Sequence, residues 1–255
     1  EYIYKTLADQ SLYIIADSQE GMRKFLKRYN VEEKKLKIIY SEPSSQILKR
    51  KKVDDNFSTE VLKKFELLNK KFIFYPAQYW AHKNHIYIIE AISLMEKKNK
   101  ELTAVFCGTD KNNLDYLKSF TKKLKLEKSI KFLDFLSEDE LNELYKNSFA
   151  IVVPTYFGPT NHLPIEGFYF EKPVFYSNIW SDTEQVKDAV ISIDLNNPND
   201  LANKLLKFLS NKDLEEEFKQ KSRDKYNQLK YKFDGNKKIF DEIFESYQTL
   251  RGTYK

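Results

Sequence analysis

The sequence predicts an α/β protein built on a doubly wound parallel sheet, and three observations carry that expectation. Between Phe72 and Ile193, short apolar runs alternate with segments of helical period, and strands that alternate with helices form parallel sheets. Ile86, Ile89, Ile92 and Met95 recur at the spacing that gives a helix one apolar face. The chain has 255 residues, 41% hydrophobic and 15% aromatic, which is ample for a packed core.

Taken in order, Leu12 to Ala16 reads as a short buried strand. Ser18 then caps a helix running to about Tyr29, and a second strand spans Leu36 to Tyr40, completing a βαβ unit. Ser41 to about Lys71 is polar, with Pro43 near its start, and reads as a linker containing one helix around Thr59 to Leu68. The regular alternation then begins. Strand Phe72 to Tyr75 precedes the helix of Ile86, strand Leu102 to Cys107 precedes helix Leu114 to Leu124, and strand Ile130 to Phe135 follows. Ser137 and Glu140 form a capping box, because hydroxyl and carboxylate satisfy reciprocal backbone donors at the start of a helix ending near Asn147. Next come strand Phe149 to Val153, helix Ile165 to Glu171, strand Pro173 to Tyr176, a short helix at Asp182 to Lys187 and strand Ala189 to Ile193. Asn197-Pro198 opens a helix carrying Leu201, Leu205, Leu206 and Leu209, and helices Leu214 to about Leu229 and Asn236 to about Leu250 close the chain.

Two loops carry the chemistry. Pro154-Thr-Tyr-Phe-Gly-Pro-Thr-Asn-His-Leu-Pro-Ile-Glu166 lies between the apolar run Phe149–Val153 and a helical segment, so it reads strand, loop, helix start. Pro164 suits the first helical position, where its missing N–H costs nothing, and the amides of Thr160, Asn161, His162 and Leu163 then point at a ligand. Such amides, with the helix dipole behind them, favour an anion. Glu166 in the first turn offers a carboxylate that accepts two hydrogen bonds from a diol such as a nucleotide ribose. Taken alone, this is equally an ordinary βα turn. A second stretch, Phe72-Ile-Phe-Tyr-Pro-Ala-Gln-Tyr-Trp-Ala-His-Lys-Asn-His85, repeats the pattern of β-like run, loop and helix start.

Together the two stretches resemble glycosyltransferase family four, over most of the chain after about residue 70. That resemblance implies the two-domain GT-B fold, in which a Rossmann-like C-terminal domain holds a nucleotide-sugar donor and transfer retains anomeric configuration. By the same resemblance Lys83 neutralises the diphosphate and Glu166 binds the ribose, the two being the catalytic candidates. Gln78, Gly158, Pro159, Thr160, Asn161, His162, Leu163 and Glu166 line the donor site. Two positions depart from the common pattern. Gln78 stands where an Arg is usual and cannot neutralise a phosphate, and Gly158 stands where a Glu is usual; both match a branch of the family in which Tyr-Pro-Ala-Gln and Pro-Thr-Tyr-Phe-Gly-Pro-Thr-Asn recur. The implied domains are 1–43, the tail end of an N-terminal acceptor domain; 44–71, a linker with a helix; 72–230, the donor domain; and 231–255, a crossing helix whose Ile239, Phe240, Ile243, Phe244 and Tyr247 rest on residues 1–43. The chain opens at Glu1 without an initiator Met, so a piece of a longer protein is expected, one that needs the missing N-terminal domain for transfer. The implied partners are a nucleotide diphosphate-sugar and a glycan or lipid-linked acceptor, in surface polysaccharide synthesis. No obligatory cofactor or metal is implied. Two alternatives stay open: a nucleotide-sugar-binding module without activity, and a GT-B-fold sugar-nucleotide epimerase, which shares the architecture but not these loops.

Composition narrows the rest. The net charge of +5 comes from 43 basic and 38 acidic residues in mixture, which does not point to nucleic acid, and no recognition motif is present. The basic run Lys49-Arg50-Lys51-Lys52 reads as a solvated linker. Cys107, the single cysteine, excludes an internal disulfide and reads as a small buried hydrophobe in a reducing compartment. No apolar run reaches the roughly 20 residues that cross a bilayer, so the expectation is a cytoplasmic protein, with peripheral contact on the inner membrane face as a further option. His82 and His85 are three apart, but no third ligand accompanies them in the sequence pattern, so no metal is expected. Gly108 stands alone after its strand without a glycine-rich fingerprint, which disfavours a nicotinamide-dependent oxidoreductase.

Overall fold

The computed structural model describes residues 2–48, 55–98, 101–157 and 162–253. In chain order it begins with helix α1 (Tyr2–Gln10), strand β1 (Ile14–Ala16), helix α2 (Gln19–Arg28) and strand β2 (Leu36–Ile38). Helices α3 (Ser45–Leu48) and α4 (Asp55–Lys64) follow, and then the alternating body: β3 (Phe72–Pro76), α5 (His85–Glu96), β4 (Thr103–Cys107), α6 (Leu114–Lys123), β5 (Ile130–Leu133), α7 (Glu138–Asn147), β6 (Ala150–Val153), α8 (His162–Tyr169), β7 (Val174–Ser177) and β8 (Val190–Ile193). Helices α9 (Pro198–Ser210), α10 (Lys212–Asp234) and α11 (Asn236–Thr253) end the chain.

The chain divides into two compact units, residues 43–182 with 186–226, and residues 1–42 with 183–185 and 227–255. The larger unit is a six-stranded sheet, parallel throughout, in the order β5-β4-β3-β6-β7-β8. After β3 the chain builds outward on one side, and after β6 it builds outward on the other. Neighbours β3 and β6, in register at Ile73↔Ala150 and Phe74↔Ile151, therefore flank the point where the winding reverses. The strands are apolar along their length because helices cover both faces: Phe72 to Tyr75, Ala104 to Phe106, Ala150 to Val153 and Val174 to Tyr176 are all buried. Helix α5 is buried on more than the one face its spacing predicts, with Tyr87, Ile88 and Ala91 joining Ile89, Ile92 and Met95, because it packs on both β4 and α9. Tyr87 fixes that contact by donating its hydroxyl proton to the Asp194 carbonyl at 2.8 Å.

Local signals place the helix starts well. Ser137 and Glu140 form the capping box of α7, each side chain bonding the other's backbone N–H (3.2 and 2.9 Å). Asn197 caps α9 with Pro198 at its first position.

The smaller unit contains the expected βαβ. Strands β1 and β2 pair in parallel, from Ile14↔Leu36 to Ala16↔Ile38, and Ser18 caps the intervening α2 by accepting from the Gly21 N–H at 3.1 Å. Helix α11 is tied to this unit mainly by polar contacts: Lys37 with Glu242 at 3.0 Å, Tyr13 with Ser246 at 2.9 Å, and Asn236 with both backbone groups of Tyr40. Its aromatic face is only partly covered, Phe240, Phe244 and Tyr247 remaining exposed.

Four local expectations are corrected. Helix α1 has no counterpart in the sequence reading, because Tyr2, Ile3, Tyr4 and Leu7 are exposed and only Ala8 is buried, so its apolar residues do not mark a core face. The helix expected around Thr59 to Leu68 is α4, which ends at Lys64, with Glu66 (φ 55) and Asn69 (φ 61) in left-handed conformations just after it. Residues 182–187 form turns rather than a helix; the segment is too short to offset helix nucleation, and Glu184 and Gln185 bond instead to the Gln19 N–H and the Asp17 carbonyl. Helix α8 begins by His162, so Pro164 is not its first residue and Glu166 stands in its second turn. Pro is accommodated there because N–H groups of the first turn have no intrahelical acceptor to lose.

Candidate active site

The loops after β3 and β6 leave the carboxyl ends of adjacent strands at the reversal of winding, the place where open α/β sheets form a ligand crevice. They are stitched together at the His82 carbonyl, which accepts from the Tyr156 N–H at 2.9 Å and from Thr155 Oγ1 at 3.4 Å; Thr155 Oγ1 also braces its own loop at the Phe157 carbonyl, 2.8 Å away.

The β3 loop is held from below and from the side. Buried Tyr75 donates its hydroxyl proton to the Lys83 carbonyl at 3.0 Å, and the Tyr79 N–H donates to the Thr109 carbonyl at 3.1 Å. A short 3₁₀ turn, Ala81–Lys83, ends in Asn84 with φ 58 and ψ 42, a left-handed conformation that Asn tolerates, and this turns the chain into α5. Gly108, at the end of β4, lets the loop lie close: a Cβ there would sit 2.4 Å from the Ala77 carbonyl oxygen. Lys83 is half-buried, and that burial holds its amine below the usual lysine range. Gln78 is exposed and its Oε1 accepts from Trp80 Nε1 at 2.9 Å, while the Lys111 ammonium lies 5.5 Å from the Trp80 ring centre.

On the second loop, Gly158, Pro159, Thr160 and Asn161 lie outside the described residues. His162 is exposed and Leu163 half-buried at the start of α8. Glu166 is 7% exposed. Its Oε2 accepts from the Tyr145 hydroxyl at 2.5 Å, and the Ser44 main chain lies close enough to favour the ionised carboxylate. Burial raises its pKa above the ordinary Glu value, against the opposing effects of Tyr145, His162 and Ser44. Gly167 brings α8 down onto the sheet, since a Cβ there would meet Val174 Cγ2 at 2.7 Å and Ile151 Cγ1 at 3.3 Å.

Lys83 follows β3 and Glu166 lies in the helix after β6, the two strands that flank the reversal of winding. His82 and His85 do not share an environment. His82 lies beside Trp80 and Phe157 on the loop, whereas His85 is buried between Tyr75, Tyr79 and Phe106, with ring centroids 4.8 to 5.2 Å away. Among the described residues no group of three His, Cys, Asp or Glu side chains is placed to hold a metal. Cys107 is buried, and its thiol is pushed up to about 12 by that burial. No described helix is long and apolar enough to cross a membrane. Sequence reasoning missed Tyr145 and Ser44 as neighbours of Glu166; an aromatic at an inward position of α7 carries no signal beyond core packing.

Comparison with known proteins agrees with this architecture. The chain is 25% identical over 201 residues to an uncharacterized glycosyltransferase of Methanocaldococcus jannaschii, covering 76% of this chain and 50% of that protein. It is 24% identical over 209 residues to the O-antigen chain mannosyltransferase RfbU of Salmonella typhimurium, covering 78% of this chain and 50% of that protein. The chain thus spans about half the length of the curated relatives it matches. A crystal structure of a glycosyltransferase from Rickettsia africae superposes with a TM-score of 0.80 at 21% identity, over 96% of this chain and 67% of the other. Anabaena HepE in complex with UDP does so with a TM-score of 0.80 at 16% identity, over 96% and 67%. These likenesses give the fold, a Rossmann-like parallel α/β sheet of the GT-B kind. Residues 58–225 match the family described as Glycosyl transferases group 1, and the chain belongs to that family.

Proposed function

We propose that residues 72–230 bind the nucleoside diphosphate of a nucleotide-sugar donor for a retaining glycosyl transfer, as in glycosyltransferase family four. The observation that carries this reading is the pair of loops joined by the Tyr156-to-His82 hydrogen bond, at the reversal of winding between β3 and β6. In this reading Lys83 opposes the diphosphate charge as it develops on the leaving group. A cation already fixed and partly desolvated does so without reorganisation. Glu166 accepts from the ribose hydroxyls, and His162 and Leu163, at the start of α8, offer main-chain amides to a phosphate. Lys83 and those amides supply the positive charge, so the reading assigns no metal. The acceptor is a glycan or lipid-linked acceptor in surface polysaccharide synthesis, in the cytoplasm or at the inner face of a membrane; the polysaccharide context alone rests on the O-antigen chain activity named for the Salmonella relative. Gln78, uncharged and engaged with Trp80, favours a second reading, a nucleotide-sugar-binding module without transfer. Mass-detected donor hydrolysis separates the two.

The direct test is a thermal-shift panel of UDP, GDP, ADP, TDP and their sugars, since ligand stabilisation grows as RT ln(1 + [L]/Kd). At least one should raise the melting temperature, and no shift at millimolar ligand with any of them overturns the reading. By calorimetry, Lys83→Ala should weaken diphosphate binding about tenfold or more while sparing nucleoside binding, because a charge-assisted hydrogen bond contributes about 1.5 to 3 kcal/mol. Glu166→Ala should weaken both ligands. Wild-type affinity in both variants would leave these residues with a purely structural role.

A further inference from the structure

We propose that Tyr145 is a positioning residue for Glu166: its hydroxyl holds one carboxylate oxygen so that the remaining lone pairs are presented to a vicinal diol. This inference rests on the donor-binding reading above and adds a residue and a mechanism to it.

The geometry is specific. Tyr145 is fully buried on α7, its ring stacked on Phe170 (centroids 5.0 Å, 5° between planes) and set edge-on to Phe74 (5.1 Å, 83°). Those two rings come from α8's end and from β3, so the phenol cannot swing without disturbing the sheet. Its hydroxyl ends 2.5 Å from Glu166 Oε2. Burial and the adjacent carboxylate keep that hydroxyl protonated, so it acts as a donor. The Ser44 main chain, just before α3, and His162, at the start of α8, lie close enough to favour the ionised carboxylate.

The chemistry explains why such a donor is needed. An ionised carboxylate is an acceptor only and can take both hydroxyls of a diol; a protonated one surrenders an acceptor site and becomes a competing donor. Burial alone drives Glu166 toward the protonated form. The Tyr145 hydroxyl, the Ser44 main chain and the His162 charge are the groups facing Glu166 that oppose this, and of the three only Tyr145 is a fully buried side chain. A side chain that merely filled the core would serve as well without its hydroxyl.

Tyr145→Phe isolates the hydroxyl and leaves the ring between Phe74 and Phe170; near-ultraviolet circular dichroism and a thermal melt check that the variant is folded. In protein carrying 13C-labelled glutamate, with Glu166 assigned by Glu166→Gln, the Glu166 carboxyl should titrate at least one pH unit higher in Y145F than in wild type. This readout requires no ligand. Calorimetry with UDP, GDP and ADP between pH 5 and 8 should show affinity falling about tenfold per pH unit below the midpoint of the carboxyl. The part of that acid limb set by Glu166 should move up with the midpoint in Y145F and vanish in E166Q, leaving the limb that the ligand's own terminal phosphate contributes at about pH 6. An unchanged carboxyl titration overturns the inference. So does a moved titration with an unmoved affinity profile. Wild-type protein that binds none of the three nucleotides at any pH overturns the proposed function instead, and the ligand-free titration still decides whether Tyr145 governs the carboxylate.

Discussion

Stability should fall steeply as pH drops from about 6.5 toward 3, and His85 should account for much of the loss. Its ring is 1% exposed, and neither nitrogen has a hydrogen-bond partner of good geometry among the described residues, although an Ala77 main-chain group lies close enough to favour protonation slightly. Burial dominates, the Lys83 charge adds to it, and the folded-state pKa is depressed to about 3. The sign follows from proton counting: between about 6.5 and 3 the unfolded chain binds a proton at this residue and the folded chain does not, so acid favours unfolding. The contribution is fully present above the unfolded pKa and is lost as pH falls through this window, at about 1.4 kcal/mol per pH unit and roughly 5 kcal/mol in total. Typical domains have about 5 to 15 kcal/mol to lose. Urea unfolding at stepped pH should show this slope in wild type and a markedly flatter one in His85→Leu, which keeps an apolar side chain of similar size among the three aromatic rings. Identical slopes in the two proteins would show that His85 is not the titrating group.

Gly108→Ala should be the most damaging glycine-to-alanine change among the described residues. The added carbon would lie 2.4 Å from the Ala77 carbonyl oxygen and 2.8 Å from the Gln78 nitrogen, and both obstacles are backbone, so no rotamer change relieves the overlap. Overpacking costs about 1 to 3 kcal/mol, and a backbone clash belongs at the upper end. The loop that must move is the one carrying Gln78 and Lys83, so nucleoside diphosphate affinity should fall along with stability. Gly252→Ala is the control: nothing lies within 4 Å of its added methyl, it sits in α11, and it should stabilise by about 0.5 to 1 kcal/mol if it does anything. Melting temperatures of the two variants moving together would refute the close-approach argument.

The body of the fold was legible because its signals are local. Alternating apolar runs, the Ser137–Glu140 box and the Asn197-Pro198 start each report on a few neighbouring residues, and the structure uses each as read. The strand order was not legible, since nothing in β3 or β6 states that the two pair; that arrangement follows from which connections fold to which side. Lys83 and Glu166 were singled out because they follow two stretches of recognisable composition; the structure puts Lys83 in the 3₁₀ turn after β3 and Glu166 in the second turn of α8. Tyr145 was not, because its partner lies 21 residues away on another helix and its neighbours in sequence are ordinary helix formers. Residues 182–187 misled for the opposite reason: their local pattern is helical, but Glu184 and Gln185 are drawn to partners near Asp17.

Under the proposed function, the pairing of β3 with β6 also sets the order in which a binding-competent state would arise. Phe74 and Ile151 pair only after α5, β4, α6, β5 and α7 have been laid down between them, so this pairing closes one of the longer loops in the unit. Loop closure costs grow slowly with length, about 0.6 kcal/mol per doubling, but non-local parallel pairing is intrinsically slow. A folding intermediate organised around β3, β4 and β5 alone would hold Lys83 and lack Glu166. Ligand capture during refolding should accordingly lag behind the recovery of helical signal, and a nucleotide added to refolding chains should pull on the last step of assembly rather than the first.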